Sequence, residues 1–548
     1  MAITRRNFLK CAGVAGIGAM SLSMGGVLSA CSSGSSEGAK ASVSGNANEV
    51  VVTMTPASEP ASGFDPLFSW GCGEHVHEPL IQSTLVTTDT NLNFVNDLAT
   101  DYSCSDDGLT WTFKIRDDVK FTDGKPLTAR DVAFTINGIN AAEVAEADLS
   151  MVKKAVAVND TTVELHLSKP FNALLYTLAV VGIVPEHAYN SKTYGKKPIG
   201  SGRYVLEQWD QGQQVILKAN PDYYGEAPKM ERLIVVFMEE DASLAAAKSG
   251  QVDIAYTAAT KASAMPDACE LLVCKSVDSR GISLPTIAPG NKRSDGNAKL
   301  DAGNAVTQDV AIRRALNYAL DRETMIANVL GGYGTPAYSV SDGMPWASDD
   351  MKVDFDLEKA KSILEEGGWK LGSDGIYEKK GTRAAFDLYY AATDSVRQAL
   401  AVEFANQMKE LGIEVNTKGA SWDDQSAKGF CEPILWGWGS NSPVELYDLS
   451  YSDAWGNFAC YENKTVDIHF DAALAKTKVE DSYGEWKAAQ WDGKEGIAPQ
   501  GAATWVWLAN VDHLYFKRKG LTVADQKPHP HGHGWSLVNN VDRWSWEG

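Results

Sequence analysis

No stretch of this 548-residue chain reaches the ~18 uninterrupted apolar residues that a membrane-crossing helix needs. The longest candidate, Ala173 to Val184, stops at Pro185 and reads as a buried helix or strand. The chain has no CxxC pair and no HExxH, which removes the commonest signatures of zinc clusters and zinc proteases. No internal repeat is visible, so a solenoid or propeller is not indicated. Cations are in short supply: 50 Lys and Arg face 71 Asp and Glu, a formal charge of −21. That balance argues against nucleic acid and against docking on anionic lipid; a solvated acidic surface or a cationic or neutral ligand accounts for it. What remains is an ordinary globular composition, 44% hydrophobic and 22% charged, in a chain too long for one core.

The first 30 residues read as an address. Thr4-Arg5-Arg6-Asn7-Phe8-Leu9-Lys10 has the form of a twin-arginine export motif, and a Gly- and Ala-rich apolar stretch follows from Ala12 to Val27. Leu28-Ser29-Ala30-Cys31 resembles a bacterial lipobox, which implies cleavage before Cys31 and lipidation of its thiol. The small residues at that cleavage site argue against a membrane span over 11–30. Loss of residues 1–30 removes Arg5, Arg6 and Lys10 and no acid, so the charge of −21 becomes −24. Residues 31–47, rich in Ser, Gly and Ala, form a flexible tether of about 20 Å r.m.s. span. Of the eight cysteines, Cys72, Cys104, Cys269, Cys274, Cys431 and Cys460 lie beyond Cys31. In an exported chain these suggest disulfides, with Cys269 to Cys274 the shortest closure and buried thiols the alternative.

The most legible stretch is Ser105 to Val132. Leu109, Trp111, Phe113 and Ile115 alternate with polar residues at the period of a half-buried strand. A second short strand is expected at Val119–Thr122, then a helix opened by Thr128 as N-cap with Asp131 three residues on. This DGLTWTFKIRDDVKFTDGKPLTARDV run strongly resembles the signature of family 5 extracytoplasmic solute-binding proteins, the ABC-importer receptors for peptides, nickel chelates and related solutes. The segment from Gly200 through Gly225 resembles the family's next marker, with Arg203 where proline is usual. Leu244–Gly250 and the helical run Asp309–Leu330 continue the match, so the resemblance spans ~48 to 548. Helices are expected at Leu357–Gly367 and Thr393–Leu411.

The resemblance implies an α/β fold of two periplasmic-binding-protein-like lobes (type II, cluster C) joined by two crossover strands, with an extra domain inserted in the first. Lobe one would take 48–80, 184–276 and 505–548, the inserted domain 81–183, and lobe two 277–504. Such a receptor closes on its ligand by hinge motion and needs no chemistry. The implied partners are a small peptide or metal-chelate ligand and the permease and ATPase subunits of an ABC importer. The implied protein is a monomer without a cofactor, held by its lipid to the outer face of the cell membrane, in the periplasmic space of a Gram-negative host.

In peptide-binding members the segment WxxDxxxP supplies an aspartate that pairs with the peptide's α-ammonium. Here Trp436 and Pro443 are kept, and the aspartate position is Gly439. Glu445 or Asp448 is the nearest substitute, and nickel-chelate receptors of the family share the missing carboxylate. Trp436, Trp438 and Tyr447, with Asn441, are candidates for stacking on and orienting a flat ligand, the competing reading being that they are core. Arg280, where the chain should cross to lobe two, and Arg203 could hold a ligand carboxylate bidentately, or serve in salt bridges. His75 flanks the family's YEPL position at the cleft. His529, His531 and His533 in PHPHGHG are the sharpest metal candidates, since imidazole suits nickel, copper or zinc, against a structural loop. A distant alternative is a serine acyl hydrolase, from Ser150-x-x-Lys153 and Lys248-Ser249-Gly250.

Overall fold

The computed structural model describes residues 48–60, 62–69, 80–142, 147–294, 299–439, 441–528 and 537–547. The leader, Cys31, the tether and Cys72 lie outside the described residues. Among the described residues no helix is long and apolar enough to cross a membrane. The apolar run Ala173–Val184 is buried throughout and contains only the short helix Leu174–Leu178.

Three sheets organise the chain. A seven-stranded sheet has Glu49–Met54 at its centre, parallel to Arg232–Phe237 on one side and to Ile254–Thr257 on the other. Its β-branched run Val50-Val51-Val52-Thr53 suits a strand covered on both faces, and Val50 and Val52 are fully buried, each contributing about 1.5–3 kcal/mol of burial. A six-stranded sheet has the order Gly334–Pro336, Trp505–Val511, Asp278–Ser283, Ile434–Gly439, Ala385–Ala391, Glu414–Ala420. Four antiparallel strands, Ala99–Cys104, Thr110–Ile115, Thr162–Leu167 and Val152–Asn159, make the third.

The chain passes between the two large sheets twice. Cys274 ends a strand of the first and Asp278 begins one of the second; Val511 ends a strand of the second and His513 begins one of the first. Trp505–Val511, expected with the first lobe, therefore pairs inside the second sheet, and the return falls at Asp512. Side chains tie the two passages together: Lys275 Nζ to Asp512 Oδ2 at 2.6 Å, and Ser276 Oγ to the Val511 carbonyl at 2.8 Å.

Locally, most elements form where the pattern places them. Trp111, Phe113 and Ile115 are buried on one face of Thr110–Ile115. The helix Ala129–Ala141 starts with the Asp131 carboxylate accepting from the Thr128 backbone N–H at 2.8 Å. Three expectations are corrected. Val119–Thr122 is not a strand but an isolated bridge from Lys120 to Pro126, because the Asp123-Gly124 turn, with Gly124 at φ 84°, closes too soon for a ladder. The run Asp309–Leu330 is two helices, Val310–Tyr318 and Arg322–Leu330, since Asp321 caps the second by accepting from Thr324 N–H. Cys269 and Cys274 cannot bridge each other: they end a six-residue strand about 16 Å long, and a disulfide needs Cα atoms within about 7 Å.

One hydrophobic core runs from Trp111, Phe113 and Leu165 of the four-stranded sheet, through Leu174 and Tyr176, to Trp346, Phe470 and Trp486. Asn172 anchors this junction, donating to the carbonyls of Ala473 at 2.9 Å and Lys478 at 3.5 Å while its backbone N–H reaches Leu474 O. Asn172→Ala leaves the buried Ala473 carbonyl one donor short and is expected to lower unfolding free energy by about 1–3 kcal/mol in urea denaturation.

Candidate functional site

In open α/β sheets the crevice beyond the carboxyl ends of parallel strands is where ligands sit. Ala385–Ala391, Glu414–Ala420 and Ile434–Gly439 run parallel here, and the segments leaving their carboxyl ends carry Asp394 and Arg397, Trp422, and Asn441 to Asp448. The antiparallel strand Asp278–Ser283 begins at the same edge, with Asp278 directly across from Gly439 and Arg280 across from Gly437.

The sequence Trp436-Gly437-Trp438-Gly439 explains the split that follows. Side chains alternate across a strand, so the two indoles face one side and the two glycines the other. Trp436 is 1% exposed, stacks on Phe458 at 4.5 Å and on Trp422 at 6.3 Å, and donates from Nε1 to Ser283 Oγ at 3.0 Å. Trp438 packs on Trp455 and Phe458. On the glycine side two guanidinium groups occupy the room that a side chain would take. A Cβ at Gly437 would stand 2.7 Å from Arg280 Nη1 and closer still to Arg397 Nη2.

Each guanidinium has a carboxylate. Asp278 grips Arg280 with both oxygens, at 2.5 and 3.0 Å, and its Oδ2 also meets His513 Nε2 at 3.1 Å. Asp394, the N-cap of Ser395–Leu411, pairs with Arg397, whose guanidinium lies 5.2 Å over the Trp422 ring. The side chains of Arg280 and Arg397 are only 11% and 13% exposed, and the Nε of each has no hydrogen-bond partner among the described residues. Burial disfavours the Arg280 charge, but Asp278 overrides it and holds the group above its ordinary value. For Arg397 burial and then the Arg280 charge win, leaving it below its ordinary value despite Asp394. Burial opposes ionisation of Asp394, yet Arg397 and Arg280 keep it below the usual carboxylate range. Arg397 is thus the group most short of negative charge.

Beyond Gly439 the helix Val444–Ser450 carries acids of the opposite character. Burial pushes the Glu445 carboxyl up to about 8, and burial with the neighbouring Glu445 and Asp148 raises Asp448 well above its ordinary value. Both carboxyls hold their protons more tightly than usual, and an arriving cation would favour their ionised forms. The folded Glu445 holds a proton that the unfolded chain gives up near the ordinary value of 4.5, so its contribution to stability is present below that value and lost as pH rises toward 8. Glu445→Gln is expected to leave the melting temperature unchanged near pH 4.5 and raise it progressively toward pH 8, read by thermal melts across that range.

Of the residues singled out from sequence, Arg280 lies on the glycine face of Ile434–Gly439, Trp436 and Trp438 pack on the opposite, buried face, and Asn441 and Tyr447 follow the strand's carboxyl end. Tyr447 stacks on Tyr451 at 4.6 Å, and Asn441 is 3% exposed. Arg203 is held elsewhere, paired with Asp542 and donating to Asn539 O at 2.7 Å, where it ties the C-terminal segment to the first sheet. His75, His529, His531 and His533 lie outside the described residues. The acyl-hydrolase elements are not brought together: Ser150 and Lys153 stand exposed by the four-stranded sheet, while Lys248 ends the helix Glu240–Lys248 beside the seven-stranded one. Asp278, Asp394, Arg397 and His513 escaped sequence reading.

Relatives match this chain over most of its length. Protein XP55 of Streptomyces lividans is 33% identical over 484 residues, 85% of this chain and 84% of its own. The oligopeptide-binding protein AppA of Bacillus subtilis is 29% identical over 80% of this chain and 84% of its own. The crystal structure of NikZ from Campylobacter jejuni, in complex with Ni(L-His), superposes with a TM-score of 0.77 at 24% identity, covering 91% of this chain and 99% of that one, and so shares the two-lobed α/β fold. Residues 93–458 match the family described as bacterial extracellular solute-binding proteins, family 5 Middle, and the chain belongs to that family.

Proposed function

We propose that this chain is the extracytoplasmic receptor of an ABC importer, that it closes two lobes on a small peptide or peptide-like solute, and that the solute's carboxylate sits on Arg397 and Arg280. The observation that carries this is the convergence of two nearly buried guanidinium groups on Gly437, with Arg397 under-compensated. A carboxylate accepts two parallel N–H bonds from such a fork. The buried acids Glu445 and Asp448, whose carboxyls hold their protons above the usual range, give an ammonium a place to ionise its partner, so both ends of a zwitterion are provided for. Asp278, opposite Gly439, is already held by Arg280 and His513 and is not the ammonium's partner. The relative AppA, named for oligopeptide binding, favours the same class.

A nickel chelate is the second reading, because a chelating amino acid would present its carboxylates to the same guanidinium pair without a metal-ligating side chain. In the domain scheme we favour, lobe one is 48–80, 184–276 and 512–548, with 81–183 inserted and 277–511 as lobe two. Cys31 carries the lipid anchor after twin-arginine export, and the monomer presents its closed form to the permease without performing chemistry. The test is a thermal-shift screen with di- to pentapeptides, free Ni²⁺ and Ni²⁺ premixed with histidine. A ligand at a hundred times its Kd adds about 2.7 kcal/mol. Stabilisation by peptides supports the proposal, stabilisation by nickel–histidine alone moves it to the chelate, and a shift that survives in Arg397→Gln overturns the site.

A further inference from the structure

The guanidinium pair is wired to the passage between the sheets. Asp278 is the first residue after one crossing and His513 the first after the other, and they meet through Asp278 Oδ2 and His513 Nε2 at 3.1 Å although 235 positions separate them. The same oxygen accepts from Arg280 Nη2. Among the described residues this carboxylate therefore serves an arginine on the binding edge and a histidine on the first sheet. The side chains of His513 and Asp278 are 11% and 8% exposed, so water screens this contest weakly.

The charge count gives the competition a direction. Asp278, Asp394, Arg280 and Arg397 sum to zero, so a carboxylate arriving on the arginines leaves the cluster one negative charge in excess, and a proton on His513 restores neutrality. Histidine alone among side chains ordinarily makes that change near pH 6.5. Three further groups stand near His513 among the described residues. Cys274 pairs with it across the ladder, Asp512 beside it is bound by Lys275, and Tyr256 lies on the strand beyond. As Arg280 turns toward a ligand, Asp278 loses one partner and depends more on the other.

We propose that His513 is the proton-linked positioning residue of the carboxylate site: an anion on Arg280 and Arg397 and a proton on His513 stabilise each other through Asp278. This rests on the reading of the guanidinium pair as a carboxylate site. By reciprocity the solute binds more tightly as pH falls through the histidine's titration, and its capture takes up a proton. Binding thereby becomes coupled to a contact that spans the two passages between the sheets.

The test follows the His513 ring in the intact chain by NMR with ¹³C-labelled histidine, its signal assigned by its loss in His513→Gln. Removing a cation favours the imidazolium, so Arg397→Gln is expected to raise the His513 midpoint by about 0.5–1.5 pH units, and Asp278→Asn to lower it. Acetate, used as the carboxylate probe against matched chloride, is expected to raise the midpoint in wild type and not in Arg397→Gln. A midpoint that stays put in Arg397→Gln, or that acetate leaves unmoved in wild type, overturns the link. The two readings fail separately. If peptides or nickel–histidine stabilise wild type but not Arg397→Gln while the midpoint never moves, the carboxylate site stands and the proton link falls. If the midpoint moves as stated but ligands stabilise wild type and Arg397→Gln alike, the proposed solute site falls instead.

Discussion

Gly437→Ala is expected to abolish solute binding in a protein that folds almost as well as wild type. The new methyl would overlap Arg280 Nη1 at 2.7 Å and press harder on Arg397 Nη2. Both atoms are the far ends of long side chains, which swing away at little cost, so the backbone stays and the anion site opens apart. Losing a buried charge-assisted pair costs roughly 2–5 kcal/mol, about 30-fold to more than 1,000-fold in affinity. The melting temperature without ligand should hold within about 2 °C. If Gly437→Ala binds normally, the two arginines are structural, each serving only its own aspartate.

Trp436→Ala should fail in the opposite way. The indole is 1% exposed, stacked between Trp422 and Phe458, and bonded to Ser283. Emptying such a site costs about 3–5 kcal/mol, and chemical denaturation should report that loss with no ligand present. Trp436→Phe keeps most of the volume, gives up about 1 kcal/mol for the Ser283 bond, and should bind solute normally. A Trp436→Phe protein that is stable yet cannot bind would return the indole to the ligand wall, where its place in a tryptophan-rich motif first suggested it.

These two variants also mark what the chain made legible. Elements governed by neighbours within a few residues could be read: the alternation of Trp111, Phe113 and Ile115, the Thr128–Asp131 cap, and Gly439 between Trp436 and Pro443. Arg280 was singled out for the same reason, since it stands close to the crossing. Arg397 was not, because within Ser395–Leu411 it looks like any polar residue near the start of an amphipathic helix. Only the packing of that helix carries it to a glycine 40 positions later. Asp278 and His513 meet across 235 residues, and no local pattern records such an approach. Nearness in sequence misled in the other direction at Cys269 and Cys274, which an extended strand holds apart. Trp505–Val511 misled because a wholly buried strand reads alike in either sheet, and only its pairing with Asp278–Ser283 assigns it.

The most direct measurement compares one peptide in two forms, free acid and C-terminal amide, by isothermal titration calorimetry against wild type and Arg397→Gln, using the best-stabilising sequence from the peptide screen. The free acid is expected to bind wild type at least tenfold more tightly than the amide, and that preference is expected to vanish in Arg397→Gln. Equal affinity for acid and amide in wild type would contradict a carboxylate held by Arg280 and Arg397.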